Sequence, residues 1–351
     1  MIQVLHIIQS YNNPNWTLLK DLSQAEIKQV VLQTPESQKS TEQDGYLQTI
    51  EISQVQPADF HLIHAHSWLT DGNIARELHQ KLGLSYCVTL REEDIQHIRK
   101  MSLKMHSDRM LILQDAAKVI FPHPQFFHAF NQALSDSQAN QLFSKTITIF
   151  RSINPLFLQE FFLHKPVALV NIRLLYIVQH EGYEEDISII SKAVKEIKQQ
   201  NLNVSLTLAA ATPTEKLRAL AGRIPESSTT SFDSDKALME LYRNHDMVLM
   251  IGDQLPTTSH YVEAISQGMP VIFSRNSCLD GIFNDQTCRI EKDNAHTLAE
   301  KIIEISQRYA TAVQHISELR PLLKFHKQEI VQEYQRVYSI CDSLQHRSPR
   351  L

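Results

Sequence analysis

The chain has 351 residues, 42% hydrophobic and 21% charged, with 34 basic side chains against 39 acidic ones and a formal net charge of -5. That length accommodates two domains of ordinary size. The acidic balance argues against a nucleic-acid partner. Cys87, Cys278, Cys288 and Cys341 are scattered without metal-ligand spacing, as expected of reduced thiols in a cytoplasmic protein. No apolar run reaches the ~18 residues that a membrane span needs. The N-terminal MIQVLHIIQ reads as a first strand and not as a targeting segment.

In chain order, Val4 to Ile8 forms a compact apolar strand, and SYNNPNW follows as a loop. A helix opens near Trp16, and Ile27 to Leu32 supplies a second strand. DFHLIH, Asp59 to His64, is the next strand. Asp71 to Leu82 is an amphipathic helix stopped by Gly83, with Asp71 placed as its N-cap. SYCVTL, AAKVIFP and KTITIF are further strands, separated by helices over Ile98 to Leu113 and Phe126 to Leu134. Short buried strands alternating with helices predict parallel α/β layering.

The bend SINPLFLQEFFLHKPVA, with Pro155 and Pro166, reads as a domain boundary. Beyond it the rhythm restarts. IRLLYIVQ is a strand, Ile187 to Lys198 a helix and NVSLTLAA a strand. Helices over Thr214 to Ala221 and Lys236 to Arg243 lead to the strand MVLMI. A short helix carrying Glu263 then reaches the turn Gly268-Met269-Pro270 and the strand VIF. Helices over His296 to Tyr309 and Phe325 to Tyr338 finish the chain.

The order of these segments resembles that of GT-B glycosyltransferases, in particular the retaining family 4 group. DFHLIHAHSWLT with LGLSYCVTL is similar to the family's aspartate–hydrophobic–histidine strand and its successor. LYRNHDMVLMIGD resembles its aromatic–helix–aspartate–strand run, and YVEAISQGMPVIFS its glutamate-containing marker segment. FHKQEIVQEYQRVY resembles its C-terminal helix. The resemblance covers nearly the whole chain. It implies a GT-B α/β fold, with two Rossmann-like domains facing across a cleft. Residues 1–160 would form the acceptor-side domain, 167–324 the donor-side domain, and 325–345 a helix crossing back to the first.

The resemblance implies transfer of a sugar from a UDP- or GDP-linked donor to a glycan, lipid-linked or protein acceptor hydroxyl, with retention and without a cofactor. Glu263 matches the second carboxylate of the family's glutamate pair and is expected to accept bonds from donor hydroxyls. Its rival reading is an ordinary helix-start carboxylate. Gly268 and Pro270 are expected to shape the turn beside the donor. His180 stands where donor-phosphate cations are expected, followed by Glu181, Gly182, Tyr183, Glu184 and Glu185. Carboxylates there oppose a pyrophosphate. Leu255 replaces the first glutamate of the pair.

On the acceptor side, His66 is the candidate for substrate contact, against a locally packed imidazole. Arg91 is the candidate for an anionic group, against a salt bridge with Glu92, Glu93 or Asp94. His64 and His66 together suggest a metal, but no Cys or carboxylate completes a zinc set, so none is expected. Ser266 and Cys278 have no evident base. IQHIRKMSLKMHSDRM is a basic helical stretch, read as a solvated face or as peripheral contact with the inner face of a membrane. The departures at Leu255 and 181–185 favour a second reading, an inactive GT-B homologue acting as a partner subunit or a glycan- or protein-binding module.

Overall fold

A computed structural model describes residues 2–8, 18–19, 22, 27–32, 48–91, 94, 97, 103–150, 153–159, 168–178, 183–251, 259–275, 287–291, 294–319 and 326–345. The chain divides into two compact units, Met1–Ser152 with Lys327–Leu351, and Ile153–His326.

The first unit holds strands β1 (Ile2–Ile7), β2 (Ile27–Leu32), β3 (Gln48–Ile50), β4 (Leu62–Ala65), β5 (Tyr86–Thr89), β6 (Lys118–Phe121) and β7 (Thr146–Thr148). They form one sheet in the order β3-β2-β1-β4-β5-β6-β7, parallel at every pairing. The strand sequences are runs of Val, Ile and Leu because helices cover both faces of such a sheet. Val4, Leu62, Cys87 and Ile120 share a core with Tyr334, Val337, Tyr338 and Cys341 of the last helix, Lys327–Gln345. Full burial of each aliphatic side chain there contributes about 1.5–3 kcal/mol.

The second unit holds β8 (Asn171–Ile177), β9 (Asn203–Ala210), β10 (Ser227–Ser231), β11 (Met247–Met250), β12 (Val271–Ser274) and β13 (Arg289–Ile290). Their order is β10-β9-β8-β11-β12-β13, again parallel. The order reverses direction between β8 and β11, as it does between β1 and β4 in the first unit. At such switch points a crevice opens beyond the carboxyl ends of the strands.

Helix Tyr183–Gln199 buries Ile187, Ile190, Ala193, Val194 and Ile197 along one stripe. It packs on helix Ala295–Gln307, which buries Leu298, Ala299, Ile302 and Ile305. Side-chain caps start several helices. Thr214 Oγ1 accepts from Leu217 N at 3.1 Å, and Asn294 Oδ1 accepts from Thr297 N at 2.9 Å. At the base of β11, Asp246 binds Arg173 through both carboxylate oxygens, at 2.7 and 3.0 Å, and also accepts from Arg173 N at 2.8 Å. This ion pair joins the starts of β8 and β11.

The elements differ from the sequence expectation in places. Asp71 is the first helical residue and Thr70 the cap, without a side-chain capping bond. The strand expected from Asp59 starts at Leu62, because Pro57–Asp59 forms a 3-10 turn. Helix Asp136–Phe143 and helix Tyr309–Leu319 are additional. So is β10, whose sequence SSTTS has no apolar alternation to betray it. Among the described residues no helix is long and apolar enough to cross a membrane.

Candidate functional site

In the second unit, helix Ser259–Ser266 follows β11. Its first turn lies at the carboxyl edge of the sheet: the His260 ring meets Phe232, the residue just past β10, edge-on at 5.8 Å and 84°. One turn further on, Glu263 is 6% exposed. Its Oε2 lies 3.0 Å from His260 Nδ1 and accepts from Tyr242 Oη at 3.3 Å. Tyr242 Oη also donates to the His260 carbonyl at 2.7 Å. Burial, followed by the neighbouring Glu263 charge, pushes the Tyr242 phenol well above its ordinary range, so it acts as a fixed donor. Glu263 thus lies on the helix that follows β11, with part of its acceptor capacity spent inside the protein.

Gly268 and Pro270 lie at the other end of this helix. Gly268 adopts φ 85°, in the left-handed region where glycine is the least strained choice. Its N–H donates to Ile265 O at 2.9 Å, and Met269 N donates to Ala264 O at 3.0 Å. The Pro270 carbonyl accepts from Val248 N at 2.9 Å, at the amino end of β11. Both residues therefore shape the amino edge of the sheet, away from His260, because a helix that returns antiparallel to β11 must end there. His180 and Leu255 lie outside the described residues.

Helix Tyr183–Gln199 begins with Glu184, Glu185 and Asp186 in its first turn. Asp186 is buried and accepts from Tyr176 Oη at 2.7 Å. Glu184 pairs with Lys216. The positive end of the helix is thereby answered by the protein's own carboxylates, where helix termini in other proteins receive phosphate.

In the first unit, the carboxyl ends of β1, β4 and β5 gather His6, His64, His66, Thr89 and Arg91. Register pairs His6 with His64 across β1 and β4. The His64 and His66 rings stack at 3.9 Å between centroids. His6 Nδ1 and His66 Nε2 are 2.9 Å apart. His64 has both nitrogens engaged, Nδ1 with Tyr338 Oη at 2.7 Å and Nε2 with Thr89 Oγ1 at 2.8 Å. All three rings are completely buried. Burial holds His64 down to about 3, and burial reinforced by neighbouring charges holds His6 and His66 well below 6.5.

The three rings place one nitrogen each within 4.8 Å of the others. His6 completes a trio that the pair His64 and His66 alone did not suggest. The donor set fits a shared metal poorly, since a metal must lie near each ring plane and the stacked pair is tilted by only 30°. His66 has its ring completely buried against His6 and His64, in the packed arrangement weighed as the alternative to substrate contact. Its carbonyl matters instead, accepting from Arg91 Nε at 2.6 Å.

Asp94 gathers the two loops beyond β4 and β5. It accepts from Trp68 N at 3.0 Å, Leu69 N at 3.1 Å, Arg91 N at 2.8 Å and Ser67 Oγ at 3.4 Å. The Arg91 guanidinium is not paired with Asp94. Its Nη2 pairs with Asp71 Oδ2 at 3.9 Å and has no hydrogen-bond acceptor among the described residues, which do not include Glu92 and Glu93. His66 and Arg91 are therefore brought together, but by a main-chain bond. The polar residues that sequence reasoning overlooked are His6, Tyr242 and His260. For His260 a signal was present: three residues before Glu263 on a helix, it faces the same way.

Two units, each a parallel sheet flanked by helices, define the GT-B fold with two Rossmann-like α/β domains. Residues 171–308 match the family described as glycosyl transferases group 1, and the chain is a GT-B-fold protein related to that family. Among solved structures, the UDP complex of Anabaena Alr3699/HepE is 15% identical, with 97% of this chain and 100% of that chain aligned at a TM-score of 0.73. Sucrose-phosphate synthase from Thermosynechococcus elongatus is 15% identical over 99% and 100% of the two chains, at 0.61. A UDP-forming alpha,alpha-trehalose-phosphate synthase from Burkholderia xenovorans is 12% identical over 97% and 99%, at 0.65. No curated protein matches the sequence.

Proposed function

We propose that the chain is a nucleotide-sugar-dependent glycosyltransferase whose donor binds at the carboxyl edge of the second unit's sheet. The observation that carries this reading is Glu263, held near the β8–β11 switch point inside the segment that matches glycosyl transferases group 1. The Anabaena relative is in complex with UDP, and a UDP-linked donor is the first choice here, with GDP next. Glu263 and its partners recognise donor hydroxyls. Arg91, whose Nη2 makes a 3.9 Å ion pair with Asp71 but no hydrogen bond among the described residues, meets an anionic group of the substrate in the first unit. The acceptor is a hydroxyl of a glycan, a lipid-linked sugar or a protein, and transfer proceeds with retention; the stereochemistry rests on family analogy.

A second reading has its own observation. The first turn of helix Tyr183–Gln199 carries three carboxylates, which repel a donor pyrophosphate and favour an inactive homologue serving as a partner subunit or binding module. Turnover separates the two. The protein is incubated with UDP- and GDP-linked hexoses and an acceptor panel, and released nucleoside diphosphate is measured. Acceptor-dependent release abolished by Arg91→Ala and reduced by Glu263→Ala supports the enzyme. A protein that releases no nucleoside diphosphate with any donor across the acceptor panel supports the second reading.

A further inference from the structure

Glu263 is paired in a way that the family's glutamate motif does not require. Its Oε2 faces His260 Nδ1 at 3.0 Å and accepts from Tyr242 Oη. A carboxylate oxygen accepts, so this contact selects the Nδ1–H tautomer of the imidazole, in which Nε2 carries the lone pair. The imidazole is held by Glu263 at Nδ1 and by Phe232 against the ring, and Tyr242 holds the main chain of the same residue at its carbonyl. Among the described residues Nε2 has no hydrogen-bond partner. The His260 side chain is 26% exposed and that of Glu263 only 8%. The accessible acceptor of the pair is therefore the histidine nitrogen rather than the carboxylate.

We propose that Glu263 recognises the donor at one remove, as a positioning residue, and that His260 Nε2 accepts a hydrogen bond from a ribose hydroxyl of a ribonucleoside diphosphate. This rests on the donor-site reading above. The carboxylate selects the tautomer and holds the ring. The ring reads the hydroxyl. A deoxyribose offers no such donor at the contacted carbon, so the pair sets a preference for ribonucleotides that a lone buried glutamate at this depth does not.

The test is calorimetric titration of the whole protein with UDP, GDP and ADP and with the 2′- and 3′-deoxy forms of whichever binds. One hydrogen bond predicts a loss of about 3- to 10-fold for one of the deoxy forms. His260→Ala and Glu263→Leu bind ribo and deoxy forms alike. Glu263→Gln keeps the preference, since its amide oxygen still accepts from Nδ1–H. Two-bond proton–nitrogen NMR supplies a readout that mere structural damage does not imitate. His260 is protonated at Nδ1 in the parent and in Glu263→Gln, and becomes mixed in Glu263→Leu.

If His260→Ala keeps its ribose preference while Glu263→Gln loses it, Glu263 binds the hydroxyl directly and the proposal is overturned. Ribonucleotide binding unchanged in all variants overturns the pair while leaving the donor site standing. No nucleotide binding by the parent removes the donor-site reading and this proposal with it.

Discussion

His6 Nδ1 lies 2.9 Å from His66 Nε2, so two imidazoles close the carboxyl ends of β1 and β4 from inside the core. With His64 stacked on His66, three histidines are kept neutral by burial. In the unfolded chain each titrates near ~6.5. Stability from this cluster is therefore complete above about pH 6.5 and falls as the pH drops toward the folded value of His64, about 3. Each neutral buried histidine adds about 1.4 kcal/mol per pH unit to the acid slope. Urea unfolding from pH 6 to pH 4 is expected to show that slope reduced by about one proton in His64→Gln. An unchanged slope contradicts the neutral cluster.

Asp94 joins two loops through three main-chain N–H groups and the Ser67 hydroxyl. Burial raises its carboxyl above the ordinary range, and those N–H bonds oppose the rise. Asp94→Ala leaves the donors unanswered and is expected to cost about 2–4 kcal/mol. Asp94→Asn, which keeps one acceptor, is expected to cost less. Chemical denaturation of both variants decides; equal and small losses show that water replaces the carboxylate.

Gly268 holds φ 85° at the amino edge of the sheet. Gly268→Ala is expected to lose about 1–2 kcal/mol, the strain of an L-residue in that region. Nucleotide affinity is expected to stay within twofold, because the helix end at Gly268 is the one away from His260. A loss of affinity without a loss of stability assigns Gly268 to the donor site after all.

Much of this architecture is legible in the sequence because parallel strands buried on both faces must be continuous apolar runs. LLYI and MVLM declare themselves, and each becomes a central strand of the second sheet. SSTTS does not, because it is the edge strand β10, paired on one side only. Glu263 is legible through its spacing to Gly268 and Pro270. What a spacing cannot convey is which end of the helix each residue occupies, and so the turn and the carboxylate were grouped together. His66 looked like a cleft residue because it directly follows a strand. The ring that meets its Nε2, that of His6, lies sixty positions away in sequence and comes beside it only through sheet register. Tyr242 and His260 are visible as residue types, but their convergence on one oxygen needs two helices to meet.

The donor site is tested most directly by isothermal titration of the purified protein with UDP, GDP and ADP and with their common sugar conjugates. Micromolar binding of one nucleotide, weakened about 3- to 10-fold by Glu263→Ala, is the expected result. Absence of binding across the whole set contradicts a donor site at the carboxyl edge of the second sheet and leaves the binding-module reading in its place.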